Sequence, residues 1–435
     1  MQKLIRGLSI TCTLSLAASA VSAQGIWYVN QAAPGGGDGA SWATAFRSVR
    51  SALDAAAGGD QIWVAAGLYS VRDGSLADPR AAEFFVTPDL ALYGGFAGNE
   101  TSLAQRAGLF SATVLSGDIG VIGDPSDNAY HIVRTWGAAT IDGFAIVGAN
   151  AVDAGGPAGA IFCDIGSAGG QPPLFQGSGL TLRNCTVAHN TATRGAALYG
   201  QLANLKVSHC TFEYNTATGM GGAVSLQTSV ARFDLCTFRR NHAGGNGGAV
   251  QLASIATTPS GRPRVEFFSC LFHDNDALGS GGVAYLGGSQ FSSGNGAFTN
   301  CTLALNQAGV RGGAICAVTD TQVKARAYLE NSIVWSNRAP TDADLAGQQW
   351  VWYSIAPGQT GTAVLSGAPL FVSLQQRNFH LRPTSPAIDA GSNALQGLDP
   401  LDVDGDGALL EFFPFDLGLQ PRVLGASIDM GAYEQ

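Results

Sequence analysis

Glu213, Arg239 and His273 each stand three positions after a cysteine: Cys210, Cys236 and Cys270. An acid, a carboxylate-binding cation and an imidazole are the groups that uronate elimination or glycoside cleavage requires. One position on come Tyr214, Arg240 and Asp274, which would extend that patch toward substrate binding. Trp335, in a later copy of the pattern, would serve as a stacking plate for a sugar. The same residues also fit a solvated sheet face, whose cross-strand ion pairs are worth only about a few tenths of a kcal/mol.

A second group lies near the C-terminus. Asp402, Asp404 and Asp406 alternate with Val403 and Gly405, and Gly407 follows. Carboxylates at positions 1, 3 and 5 begin a calcium loop. Position 12 falls on Phe413, so Glu411 or Asp416 would have to close the shell, with Asp399 as a further donor. Bound calcium would tie down the C-terminal end; a solvated acidic turn is the alternative.

The elements that carry these residues are repeats. NCTVAHNTA, HCTFEYNTA, LCTFRRNHA, SCLFHDNDA, NCTLALNQA and NSIVWSNRA align between residues 184 and 339. Each has Cys or Ser, an apolar residue two later, Asn five later and Ala seven later. Four copies continue into a Gly pair and a short strand: GGAVSL, GGAVQL, GGVAYL and GGAICA. A period of 20–50 residues means stacked units. Apolar alternation within each copy, as in LTLRNCTV, is that of strand. Short strands joined at Asn and Gly corners describe coils of a parallel β-helix, each advancing roughly 4.8 Å. The expected core holds the Cys column and, two positions on, Val187, Phe212, Phe238, Phe272, Leu303 and Val334. In-register cysteines are too parallel for disulfides, so the spacing predicts stacked free thiols. Asn is expected at a left-handed corner and in amide stacking, and the Gly pairs at positive φ.

Composition narrows the class. The 435 residues include 59 Gly, 23 basic and 32 acidic residues, with net charge −9. There is no basic cluster for nucleic acid and no run long enough to span a membrane. Residues 1–23 read as a secretory signal: Lys3 and Arg6, an apolar run, then Val21-Ser22-Ala23. The stretch SWATAFRSVRSALDAAAGGD has helical spacing, predicting a helix over 42–57 with Ser41 as N-cap.

FEYNTATGMGGAV and FRRNHAGGNGGAV resemble the repeats of chlamydial polymorphic outer-membrane proteins. WYVNQAAPGGGDGASWATAF and LYGGFAGNET resemble secreted proteins of the pectin-lyase-like superfamily, and SPAIDAGSN with SIDMGAYE resembles the choice-of-anchor Q module. These resemblances imply a right-handed parallel β-helix displayed outside the cell. No pectate-lyase-like or polygalacturonase-like catalytic motif is legible, so no catalytic residue transfers from them.

The expected architecture is all-β: a right-handed parallel β-helix solenoid with an N-terminal helical cap and a C-terminal capping module. The expected divisions are a signal at 1–23, a cap at 24–59, the helix at 60–382, clearest over 139–340, and the terminal module at 383–435. The expected role is structural, adhesive or glycan-binding at the cell surface or beyond it. A polysaccharide lyase or glycoside hydrolase is the alternative. The sequence leaves oligomeric state and the identity of the glycan open.

Overall fold

A computed structural model describes residues 24–106, 108, 110–156, 159–164, 179–253, 264–289, 292–318 and 325–435. The signal-like segment 1–23 lies outside the described residues. Among them, no helix is long and apolar enough to cross a membrane.

Strands stack in parallel into one sheet of twelve strands (sheet A), two of nine (sheets B and C) and one of six (sheet D). Each coil passes through A, then B and C, and the six middle coils add a strand of D between B and C. Sheet A holds strands such as Val230–Asp234, Arg264–Phe268, Asn295–Thr299, Ala327–Glu330 and Gln349–Trp352. Sheet B holds the short strands after the cysteines, including Thr211–Glu213, Thr237–Arg239 and Leu271–His273. Register follows the aligned repeats: Phe212 pairs with Phe238 and Phe238 with Phe272.

Stacking fills the core. Phe212, Phe238 and Phe272 form one column with ring centroids 4.8 and 4.7 Å apart. Phe233, Phe267 and Phe298 form another at 5.0 and 4.9 Å, meeting the first edge-on. The seven cysteines among the described residues are buried and free. Cys316, at an outward position of GGAICA, is also buried.

The corners differ from expectation in one respect. Asn190, Asn215, Asn241, Asn275, Asn306 and Asn337 do not adopt the left-handed conformation; the residue before each does. His189, Tyr214, Arg240, Asp274, Leu305 and Ser336 have φ between 52° and 61°. The Asn side chain turns inward instead, where its amide has more to satisfy. Asn241 Nδ2 donates to Phe212 O at 2.9 Å and to Asn275 Oδ1 at 2.9 Å. Its own Oδ1 accepts from the backbone N–H and Nδ2 of Asn215, both at 3.1 Å. The ladder runs from Asn190 to Asn337, whose Nδ2 donates to Asp344 Oδ1 at 2.9 Å. The Gly pair divides its labour. Gly247 supplies φ of 74°. A Cβ on Gly248 would collide with the carbonyl oxygen of Gly282 in the next coil.

The single helix expected over 42–57 is divided. Trp42–Thr44 is a short 3-10 turn capped by Ser41, and helix α1 spans Val49–Ala55, capped by Ser48. Between them Phe46 pairs with the first strand: its N–H donates to Tyr28 O at 2.9 Å and its carbonyl accepts from Asn30 at 2.8 Å. That pairing draws the chain out of helix. Val49 and Ala52 of α1 are buried against the first coils.

The C-terminal segment folds back along the outside of the solenoid. A hairpin of Phe371–Ser373 and Asn378–Leu381 lies over sheet B. There the outward Thr186, Thr211 and Thr237 of earlier coils are followed by Leu271, Thr302 and Ile333. Leu271 and Ile333 join Phe371, Phe379, Leu381 and Met430 in a second core, and Thr302 Oγ1 accepts from Ala432 N at 3.0 Å. Over sheet A, Leu235 and Phe268 receive Phe413.

Candidate functional site

Sheet B sets Glu213, Arg239 and His273 side by side in adjacent coils, between Ala188 and Ala304. The three do not form one open site. Arg239 donates to Glu213 Oε2 at 2.5 Å, an ion pair on the exposed part of the face. His273 is only 6 % exposed, because the C-terminal hairpin places Phe379 over it with ring centroids 5.3 Å apart. Its Nδ1 pairs with Asp274 Oδ2 at 2.8 Å. Asp274, which the sequence places in the substrate-binding patch, is held by Arg377 Nη2 and Nε at 2.6 and 2.8 Å. Burial works against its ionisation, but His273 and Arg377 outweigh burial and hold its carboxyl well below the usual range. Tyr214 takes a hydrogen bond from Arg240 and stacks on His189 at 5.0 Å. Trp335 packs into the second core beneath the C-terminal segment instead of standing free as a plate. The parity of each residue was legible; the returning segment that covers half the column was not.

The acidic loop is closed at its neck. Asp399 N donates to Glu411 O at 3.0 Å, and Phe413 N to Gly397 O at 3.1 Å. Arg232 and Arg183 reach from sheet A to hold Leu398 O at 2.7 Å and Leu401 O at 2.8 Å. Asp402, Asp404 and Asp406 each bring an oxygen within 4.8 Å of the others, and so do Asp399, Asp404 and Glu411. Burial raises the Asp399 carboxyl above its ordinary range; burial and the neighbouring carboxylates do the same to Glu411.

A third arrangement, on the outer face of sheet A, escaped sequence reasoning. Tyr328 and Trp350 share one outward row; Glu330 and Trp352 share the next. With Asn295 these four line a groove of about 280 Å³. Tyr328 and Trp352 lie near parallel, 16° apart with centroids at 6.4 Å, and Trp350 stands at 89° to Trp352. Trp350 is 42 % exposed. Thr299 Oγ1 donates to Glu330 Oε2 at 3.2 Å. Glu330 also lines an adjoining groove of about 410 Å³, floored by Arg232, Glu266 and Phe268 and walled by Leu398, Leu409 and Leu410 of the acidic loop. The available signal was the alternation in QWVW, residues 349–352, with Tyr328 in the preceding coil.

Residues 137–352 match the family model described as right handed beta helix region. No curated protein matches the chain. Among solved structures, the chain is similar to pectate lyase Pel9A at 14 % identity, over 96 % of this chain and 98 % of that one, with a TM-score of 0.49. A rhamnogalacturonan lyase aligns at 9 % identity over 83 % and 95 %, with a TM-score of 0.47. A pectin methylesterase from carrot aligns at 11 % over 77 % and 89 %, with a TM-score of 0.42. The matched segment contains the thiol, amide and glycine ladders, and with the stacked parallel sheets it makes this chain a right-handed parallel β-helix.

Proposed function

We propose that this is an exported glycan-binding protein, with a structural or adhesive role, whose binding surface is the outer face of sheet A. The observation that carries this reading is the outward set of Tyr328, Trp350 and Trp352 around one groove with Glu330. Aromatic faces stack on the C–H faces of pyranose rings, while a carboxylate and an amide select hydroxyls. Glu330 lines both grooves and Glu266 the second, where the Arg232 guanidinium is already paired with Asp234 at 2.9 Å, so the surface favours a neutral, hydroxyl-rich chain over a uronate. The basic, apolar and small-residue order of residues 1–23 supports export.

The enzymatic alternative on Glu213, Arg239 and His273 would require the hairpin to leave His273. One experiment addresses both readings. Mature protein is run in affinity electrophoresis through neutral and uronate polysaccharides, and parallel incubations are followed for reducing ends and unsaturated products. Retardation by a neutral glycan is expected, weakened about five- to tenfold by Trp350→Ala or Tyr328→Ala. Cleavage lost on Glu213→Ala would replace the binding-only reading, and retardation indifferent to all three aromatics would remove it.

A further inference from the structure

We infer that Asp399, Asp404 and Glu411 form a site for a divalent cation of the calcium type, which fixes the loop wall of the second groove on sheet A. Acidic side chains gathered in a turn are not in themselves a site, but here two oxygens are left over. Asp399 is fully buried. Its Oδ2 accepts from Val403 N at 2.8 Å, while Oδ1 is buried without a hydrogen-bond partner. Glu411 Oε1 is likewise buried without one. These two residues and Asp404 bring their oxygens within 4.8 Å of one another. Leaving a buried carboxylate oxygen unpaired is costly, and adding like charges beside it costs more. A hard cation removes both costs at once, and an all-oxygen donor set suits calcium better than zinc. Asp402 and Asp406 gather with Asp404 in a second group that shares only Asp404 with the first.

The placement gives the cation a consequence. Its donors lie at the neck and tip of the segment that presents Leu398, Leu409 and Leu410 to the groove. Leu410 is 85 % exposed, so little apolar packing restrains its arm of the loop. Closing the carboxylates around an ion would fix that wall. This coupling rests on the glycan-binding reading; the metal site does not.

The test is calorimetric titration of chelator-treated mature protein with calcium chloride alone, then with magnesium chloride. Calcium is expected to bind with Kd about 1 mM or tighter and to outcompete magnesium. Asp399→Asn and Glu411→Gln are each expected to weaken calcium about tenfold or more. Asp404→Asn, at the exposed tip, serves if the buried variants fail to fold. Calcium should also slow proteolysis between residues 402 and 410. No calcium binding by folded wild-type protein, or undiminished binding by Asp404→Asn and Glu411→Gln, overturns the site. Neutral-glycan retardation is then compared with calcium and with chelator. Weaker retardation in chelator supports the coupling; equal retardation overturns it and leaves the metal site standing. Calcium binding without any glycan retardation removes the glycan reading alone.

Discussion

Asn241 shows how much one inward side chain carries. It donates to Phe212 O and Asn275 and accepts twice from Asn215, all in a dry interior. Asn241→Ala would strip the acceptor from the Asn215 backbone N–H and take one partner each from Phe212 O and from Asn215 Nδ2, which keeps Val187 O. At roughly 1–3 kcal/mol for each buried group that loses its partner, the expected loss is about 2 kcal/mol or more. Urea denaturation measures it, and a loss under about 1 kcal/mol would mean that water or a shifted neighbour replaces the ladder. The Asn column was legible because such a demand leaves few substitutes. Its conformation was not. A left-handed corner tolerates any residue whose side chain escapes outward, so Tyr214 and Arg240 take that place and free the Asn to point in.

The C-terminal hairpin over sheet B is held by one charged clasp and an apolar patch. Asp274 is kept ionised by His273 and Arg377 against the pull of burial. A carboxyl with a depressed pKa stabilises the fold fully above its unfolded pKa, near 3.9, and loses that contribution as pH falls below it. The hairpin is therefore expected to stay docked from neutral pH down to about pH 4 and to loosen below. Proteolysis at residues 374–377 across that range is the readout. Arg377→Ala should cost only about 1 kcal/mol, because Arg377 is more than a third exposed and solvent screens the pair. Loosening that begins well above pH 4 would show that the clasp is not what titrates. At this scale the strands and their register could be read from the repeats, since inward positions repeat with every coil. The hairpin's destination could not. Its trace is the appearance of Leu271 and Ile333, on either side of Thr302, in an outward row that holds Thr186, Thr211 and Thr237 before them, which becomes meaningful once something covers it.

Across the whole molecule, the excess of glycine and the shortage of charge have a shared origin. Coils stacked at strand spacing bring backbone against backbone at each Gly pair, and roughly half of every strand faces a dry core. Six of the seven described cysteines, all but Cys316, belong to that core. Burial pushes the thiols of Cys185, Cys210, Cys236 and Cys270 well up, and that of Cys163 to about 12. Native protein should therefore resist a thiol reagent, while unfolding without reductant should expose all seven of these cysteines. Fewer than five would indicate disulfides. Both candidate surfaces lie where the stacking rule is silent: the outward aromatics of sheet A and the loop that returns beside them. Fold was readable from residues that every coil needs, whereas the groove depends on residues that only a few coils carry.

The amide ladder also has a direction. Each Asn sends its backbone N–H and one amide proton to the next coil and its other amide proton back to the preceding one, so the forward series behaves like a sentence in which every word demands a successor. Asp344 is the full stop: its Oδ1 receives from Asn337 N and Nδ2, and an ionised carboxylate has no proton to pass on. An amide at that position would leave an unanswered donor at the end of the series. The replacement of one nitrogen by oxygen thus records, in a single side chain, where the amide ladder stops, while Gln349–Trp352 and Gly361–Thr362 carry sheet A further.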